Sequence, residues 1–297
     1  MREAPIIVEL RGRLGNQLFQ FAAGYAAARR HDARLLFSSR RLKRGEPLSL
    51  PQFIGPRYRE ASRAQLLRFG RLELDVPGRD AVNGALGAGL LLAGRVRNHP
   101  YVIEQRGHAH ILDRRMMDAR PPCLVRGVFP SEQYFADYAD EVAAAICLPP
   151  VAAQLSHLPR PLVGVHFRRG DFNSLGWALP LEYYDAALTL LSEQITPGTL
   201  LLSSDDHAFT QLVTPWIARF GPVHDTRTLA GGLEGNVAAL AACDHHVIAN
   251  STYSWWAAWL GERRGRPGEH LVYAPGDWQR PYETEDSIPE RWHAVTW

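Results

Sequence analysis

The sequence predicts an α/β protein built from two parallel, helix-wound sheets, and three observations carry that reading. Within residues 5–39 an apolar run, a stretch of helical periodicity and a second apolar run follow one another, the order of a parallel strand–helix–strand unit. From residue 162 onward apolar runs again alternate with helical patterns. Between these regions LPPVAAQLSHLPRP (148–161) is a proline-punctuated connection, which predicts a division into residues 1–155 and 156–297.

Each element has its own warrant. PIIVEL (5–10) is short and apolar, a buried strand, and a glycine-bearing turn leads from it into NQLFQFAAGYAAARR (16–30), where Leu18, Phe19, Ala22 and Ala26 recur at helical spacing. ARLLFSS (33–39) is the second strand. Residues 40–100 are rich in Arg, Gly and Pro and predict little beyond one helix near 61–70. PCLVRGVF (122–129) reads as a strand and SEQYFADYADEVAAAI (131–146) as an amphipathic helix capped by Ser131. In the second half LVGVHF (162–167) is a strand, PLEYYDAALTLLSEQ (180–194) a helix, and TLLLSSDD (199–206) a strand running into polar residues before a helix over 207–219. GNVAALAAC (235–243), DHHVIAN (244–250) and STYSWWAAWLG (251–261) read as helix, strand and helix, the last closed by Gly261. LVYAPG (271–276) is a final strand before an aromatic tail, and no internal repeat is visible.

Composition bounds the function. The 297 residues are 46% apolar and 22% charged, as in a soluble protein with a sizeable core. A net charge of +2, from 33 Lys+Arg against 31 Asp+Glu, argues against a polyanion-binding surface and hence against nucleic acid as a partner. Lysine occurs only at Lys43, so arginine supplies nearly all of the positive charge. Cys123, Cys147 and Cys243 are odd in number and widely separated, with neither metal-ligand spacing nor a disulfide framework, which favours a reducing compartment. The N-terminal stretch enters a strand at once without a signal-peptide apolar region, and GALGAGLLLAG (84–94) is too short and glycine-rich to span a bilayer. A cytoplasmic location, with at most peripheral association at the inner face of a bacterial membrane, is the expectation.

In open parallel sheets ligands bind beyond the carboxyl ends of the strands. Three polar clusters fall there: His166 to Asp171, Ser203 to Asp206, and Asn250 to Ser254. VGVHFRRGDF (163–172) ends a buried strand with two adjacent permanent cations, which repel each other unless something anionic joins them. The third cluster precedes a helix, whose exposed amides and dipole favour an anion. Two arginines facing a helix N-terminus would hold a diphosphate, because the planar guanidinium bonds phosphate oxygens in pairs. Each cluster also has a plainer reading. Arg-Gly-Asp is a surface turn with a local salt bridge, Ser-Thr a helix cap, and Asp205-Asp206 a cap for the next helix. Trp255, Trp256 and Trp259 at helical spacing read as core packing, and His245-His246, without a carboxylate or cysteine at metal spacing, as structural. The turn GRLGN (12–16) lacks the full dinucleotide fingerprint.

Taken together, GRLGNQLFQFA (12–22), VGVHFRRGDF (163–172) and HHVIANSTYSWWAAWLG (245–261) resemble the α-1,2-fucosyltransferases of glycosyltransferase family 11, with LPLEYYDAAL (179–188), SSDD (203–206) and APGDW (274–278) in the same order. The resemblance implies a GT-B-like architecture of two Rossmann-like lobes with parallel sheets facing a cleft. Residues 1–155 would form the acceptor-side lobe and 156–297 the nucleotide-sugar-binding lobe. It implies an inverting, metal-free transfer of L-fucose from GDP-fucose to the 2-hydroxyl of a galactoside, in surface-glycan or O-antigen synthesis. The acceptor would be a galactose-terminated oligosaccharide or lipid-linked glycan. Donor contacts are implied at Gly15, His166, Arg168, Arg169, Ser204, Asp205, Asn236, Asn250, Ser251, Thr252, Tyr253 and Ser254, with Arg168, Asp171 and Asn16 as catalytic residues. Arg168 and Arg169 would neutralise the departing GDP in place of a divalent ion. The sequence departs from the family at Asn236, seven residues before Cys243, where an aspartate usually meets the guanine base. An asparagine cannot offer a carboxylate to the guanine N1–H and amine together, and Glu234 is the alternative. Two other functions stay open: transfer from another GDP-sugar, and non-catalytic carbohydrate binding by exposed tryptophans. Asp171 is the carboxylate nearest the arginines in sequence, as general base or as an arginine's anchor.

Overall fold

In the computed structural model, which describes residues 4–69, 101–105, 111–229, 231–263, 265, 269–278 and 286–297, the chain divides into two units, each organised around a parallel sheet. Residues 1–129 and 133–142 form the first unit, and residues 130–132 and 143–297 the second. The apolar stretch 84–94 lies outside the described residues.

The first unit contains β1 (Pro5–Glu9), α1 (Leu14–Arg30), β2 (Arg34–Ser38), α2 (Leu50–Ile54), α3 (Arg63–Leu67), β3 (Tyr101–Glu104), α4 (Arg114–Met117) and β4 (Cys123–Arg126). The strands lie in the order β2-β1-β4-β3, all parallel. Ile6, Ile7 and Val8 are fully buried, so β1 reads as an unbroken apolar run, as a central strand covered on both faces must. The helix expected near 61–70 is the shorter α3, fixed by a capping box between Ser62 and Gln65.

The helix expected over 131–146 is not formed as one piece. Two 3-10 turns, Glu132–Tyr134 and Ala136–Tyr138, precede α5 (Ala139–Ala145). Tertiary anchors break the helical period here, where the chain passes between units. Glu132 is held by Arg291 and by the Trp259 indole at 3.1 Å in the second unit. Tyr134 is buried edge-on against Phe129 in the first, its hydroxyl accepting from the Asp113 amide at 2.6 Å.

The second unit continues through α6 (Ala152–Leu155), β5 (Leu162–Phe167), α7 (Gly170–Leu175), α8 (Leu181–Gln194), β6 (Thr199–Ser204), α9 (His207–Ile217) and β7 (Val223–Asp225). It ends with α10 (Thr226–Leu229), α11 (Gly232–Ala241), β8 (His245–Val247), α12 (Thr252–Glu262), β9 (Val272–Pro275) and β10 (His293–Val295). The division expected at 155/156 falls inside this unit, because Val151, Leu155 and Leu158 pack with Leu162, Leu201, Ala238 and Cys243. Its strand order is β10-β9-β8-β5-β6-β7, all parallel. From β5 the chain builds outward to β6 and β7, then returns to place β8, β9 and β10 on the other side of β5. The loops leaving β5 and β8 therefore diverge, the topological switch point at which open sheets bind ligands. β7 and β10, three residues each, went unread in the sequence.

Gly261 does not close α12 as expected but lies within it. A Cβ there would stand 2.9 Å from the His246 ring and 3.2 Å from the Ala241 carbonyl oxygen, so the glycine admits close packing. Trp255, Trp256 and Trp259 are fully buried, their rings 5.2 to 6.1 Å apart. They are core, and none is a surface for sugar. Among the described residues no helix is long and apolar enough to cross a membrane.

Trp256→Ala is expected to destabilise the protein by about 3–5 kcal/mol, the range for deleting a buried large aromatic. Chemical denaturation would register this as a lowered midpoint, and a change below about 1 kcal/mol would contradict the core assignment.

Candidate functional site

β5 is buried along its whole length and carries its last residues to the carboxyl edge of the sheet, with His166 opposite Ser203 of β6. The His166 ring lies 5.1 Å from that of Tyr253, the second residue of α12, whose hydroxyl bonds to Ser203. Burial pushes the His166 pKa down to about 3, with the Arg168 charge acting in the same sense, so its imidazole is neutral near pH 7. Its Nδ1 is buried and without a hydrogen-bond partner.

The two adjacent arginines are separated by their partners. Arg168 donates from Nη2 to Asp171 Oδ1 at 2.5 Å and from Nη1 to Asp205 Oδ2 at 2.6 Å, with its guanidinium 5.0 Å from the Phe172 ring centroid. Arg169 lies 4.3 Å over the Phe209 ring and reaches the Leu179 carbonyl at 3.5 Å, leaving its Nε buried and unpartnered. The anions beside Arg168 are the protein's own carboxylates.

Arg-Gly-Asp forms no isolated turn but opens α7, and the cap comes from a distant strand. Asp205 Oδ1 accepts from the Arg169 amide at 2.8 Å and the Gly170 amide at 3.2 Å. Gly170 permits this approach, since a Cβ there would sit 2.5 Å from Asp205 Oδ2. Asp206 caps α9 through the Phe209 amide at 3.0 Å, and Ser204 Oγ accepts from the Asp206 amide at 3.0 Å. Of these three side chains, proposed from sequence as contacts or caps, Asp205 and Asp206 cap helices, and Asp205 also braces Arg168.

Across the switch point, Ser251 stands at the N-cap of α12 without a side-chain bond to the first turn. The turn that Thr252 and Tyr253 begin therefore has no serine oxygen over its amides. Ser254 Oγ instead donates back to the Ala249 and Ser251 carbonyls at 3.3 and 3.2 Å. Asn250 donates from Nδ2 to the Trp177 carbonyl at 2.9 Å, and its Oδ1 is buried without a partner. Asn236 lies on α11, half-buried, its Oδ1 likewise unpartnered, with Glu234 in the same helix's first turn. Buried polar atoms without a partner cost free energy, and His166, Arg169, Asn236 and Asn250 of the second unit each carry one.

Gly15 and Asn16 belong to the first unit, in the first turn of α1. The preceding Gly12 has φ +74°, and a Cβ there would lie 2.4 Å from Asn16 Nδ2. Beneath it Gln17 is fully buried, donating to the Gly12 and Pro47 carbonyls and accepting from the Ser49 and Leu50 amides. His246 is buried too, bonded to His270 at 2.8 Å and to the Leu240 carbonyl. Among the described residues no three His, Cys, Asp or Glu are grouped to hold a metal ion.

A model of glycosyl transferase family 11 matches residues 117–272. The chain is 28% identical over 180 residues to an alpha-1,2-colitosyltransferase of Escherichia coli, covering 56% of this chain and 60% of that protein. It is 26% identical over 278 residues to the galactoside 2-alpha-L-fucosyltransferase Sec1 of Mus musculus, covering 87% and 65%. The chain thus spans less than two thirds of the length of these curated relatives. The crystal structure of fucosyltransferase NodZ from Bradyrhizobium superposes with a TM-score of 0.52 at 15% identity, covering 87% of this chain and 93% of that one. NodZ has also been solved soaked with GDP-fucose. The likeness establishes the fold as α/β and GT-B-like, with two Rossmann-like units.

The folded pKa of His166 lies below its unfolded value of 6.5, so the unfolded chain takes up the proton first as pH falls. The stability held by neutral His166 is whole above pH 6.5 and declines toward pH 3. His166→Gln is expected to lose less stability than the parent between about pH 6.5 and 4, read from denaturation midpoints at each pH. Equal slopes would show that His166 is not held neutral by the fold.

Proposed function

This chain belongs to glycosyl transferase family 11, and on that premise we propose that it moves L-fucose from GDP-fucose to the 2-hydroxyl of a galactoside, with inversion and without a metal ion. The observation that carries the reading is the pair of loops at the switch point: the Arg168 corner after β5 and the amide end of α12 after β8. A diphosphate seated between them meets a guanidinium and the positive end of a helix dipole.

Each residue then has a defined task. The diphosphate replaces Asp171 on Arg168, while Asp205 keeps the guanidinium aimed from behind. Charge that builds on the departing GDP is neutralised by Arg168 and the α12 amides, the preorganised stabilisation that is commonly the largest catalytic term. His166, neutral and with a free ring nitrogen, offers the nucleotide a hydrogen bond without adding charge. Asn236 faces the base with one amide, Glu234 beside it. Gly15 serves donor binding and Asn16 the catalytic step, both from the first turn of α1. The acceptor is a galactose-terminated oligosaccharide or lipid-linked glycan, reached at a membrane surface at most peripherally. A second reading, transfer of another sugar such as the colitosyl group of the Escherichia coli relative, is favoured by Asn236 and by the 28% identity to that protein. Trp255, Trp256 and Trp259 are buried and offer no surface to a non-catalytic sugar binder.

Purified protein incubated with GDP-fucose and a panel of β-galactosides in EDTA is expected to release GDP and form an α-1,2-fucosylated product. Arg168→Ala should lower the rate roughly 10²–10³-fold, and lysine should not restore it, because paired bonding is lost. Loss of wild-type activity in EDTA that returns with Mg²⁺ or Mn²⁺ would overturn the metal-free scheme.

The Arg168–Asp171 pair separates two roles for Asp171. If it is the general base, released once the diphosphate takes Arg168, Asp171→Asn cuts turnover strongly and leaves GDP affinity near wild type. If it positions Arg168, GDP affinity changes together with turnover. Calorimetry with GDP beside a rate measurement decides, and unchanged turnover eliminates both.

A further inference from the structure

At the carboxyl ends of β8, β9 and β10 the second unit has an open cavity of about 370 Å³. Trp177, Asn250, Asp277, Thr296 and Trp297 contribute to its wall. Its wall also includes residues 176–180 after α7, whose Leu179 carbonyl accepts from Arg169 at 3.5 Å, so it adjoins the Arg168 corner.

Among the described residues its lining carries one carboxylate and no arginine, lysine or histidine, the reverse of the Arg168 corner. The other groups suit a neutral polyol: two indoles for the apolar face of a ring, and amide, carboxylate and hydroxyl for its hydroxyl groups. Asn250 sharpens this. The residue is 6% exposed, its Nδ2 is bound to the Trp177 carbonyl, and its Oδ1 has no partner in the protein, an acceptor awaiting a donor. Both indoles are held in place: Trp297 lies edge-on to Tyr183 at 5.1 Å and Trp177 edge-on to Phe172 at 5.6 Å. Phe172 in turn carries the Arg168 guanidinium.

We propose that this cavity binds a neutral hexopyranoside ring of the acceptor glycan, so that the unit bearing the donor site also holds part of the acceptor. The assignment rests on the transferase reading for the word acceptor, though the sugar site stands on its own geometry. The volume suits one or two sugar rings and lies within the usual range of small-molecule sites.

The test uses lactose without donor, its binding followed by saturation-transfer NMR, beside calorimetry with GDP. The proteins are wild type, Trp297→Ala and Asp277→Asn, the last removing a charge at nearly constant volume. Lactose affinity is expected to fall roughly tenfold or more in both variants while GDP affinity stays within about twofold, which also shows that they are folded. Lactose binding that is absent in wild type, unchanged in the variants, or lost in step with GDP binding overturns the proposal. Failure of the transferase reading looks different: wild type binds lactose through Trp297 and Asp277 yet transfers no fucose. In an active enzyme the same variants raise the acceptor KM, and an unchanged KM also overturns the cavity's role.

Discussion

Asp205 joins two things that would not otherwise hold still. Its carboxylate accepts from the first amides of α7 and from the Arg168 guanidinium, so the corner after β5 and the end of β6 are fastened at one point. Hydrogen bonds with an ionised partner are about twice as strong as neutral ones. Arg168 thereby gains two unlike partners. Asp205 is tied to backbone, whereas Asp171, at 43% side-chain exposure, is the more accessible of the two. A cation with one fixed and one more accessible partner keeps its direction when a ligand takes the accessible side.

The sheet supplies the place and the core supplies the stiffness. Reversal of strand order between β5 and β8 separates the loops that follow them, and α12 starts on one side of that gap. α12 is nailed down by its three buried tryptophans, Trp255 bonding the Ser287 carbonyl at 2.8 Å and Trp259 bonding Glu132 at 3.1 Å. An anion drawn to the first turn of such a helix meets amides that need little reorganisation.

Much of this was legible in the residue pattern, for a physical reason. Strands such as β1 and β5 are buried on both faces and announce themselves as continuous apolar runs, and α8 carries clean periodicity. What stayed hidden depends on distance along the chain. The cap of α7 comes from a residue 36 positions after Arg169. The 131–146 segment has a helical period, yet Glu132 and Tyr134 are claimed by different units. Gly261 looked like a helix stop because a glycine required by a neighbouring histidine ring is indistinguishable in sequence from one required by a turn. Trp177 gave no signal at all. Of the site, the polar clusters at the strand ends were readable; which of their members face a ligand and which hold the others was not.

The local balance of charge at the Arg168 corner has a kinetic consequence. Arg168 and Arg169 stand with Asp171 and Asp205, two positive groups against two negative ones, and the chain as a whole is only +2. Such a site projects little field beyond a Debye length, about 8 Å at physiological salt. Anionic ligands are therefore not drawn in from afar, and capture depends on short-range fit, with an association rate that responds weakly to ionic strength.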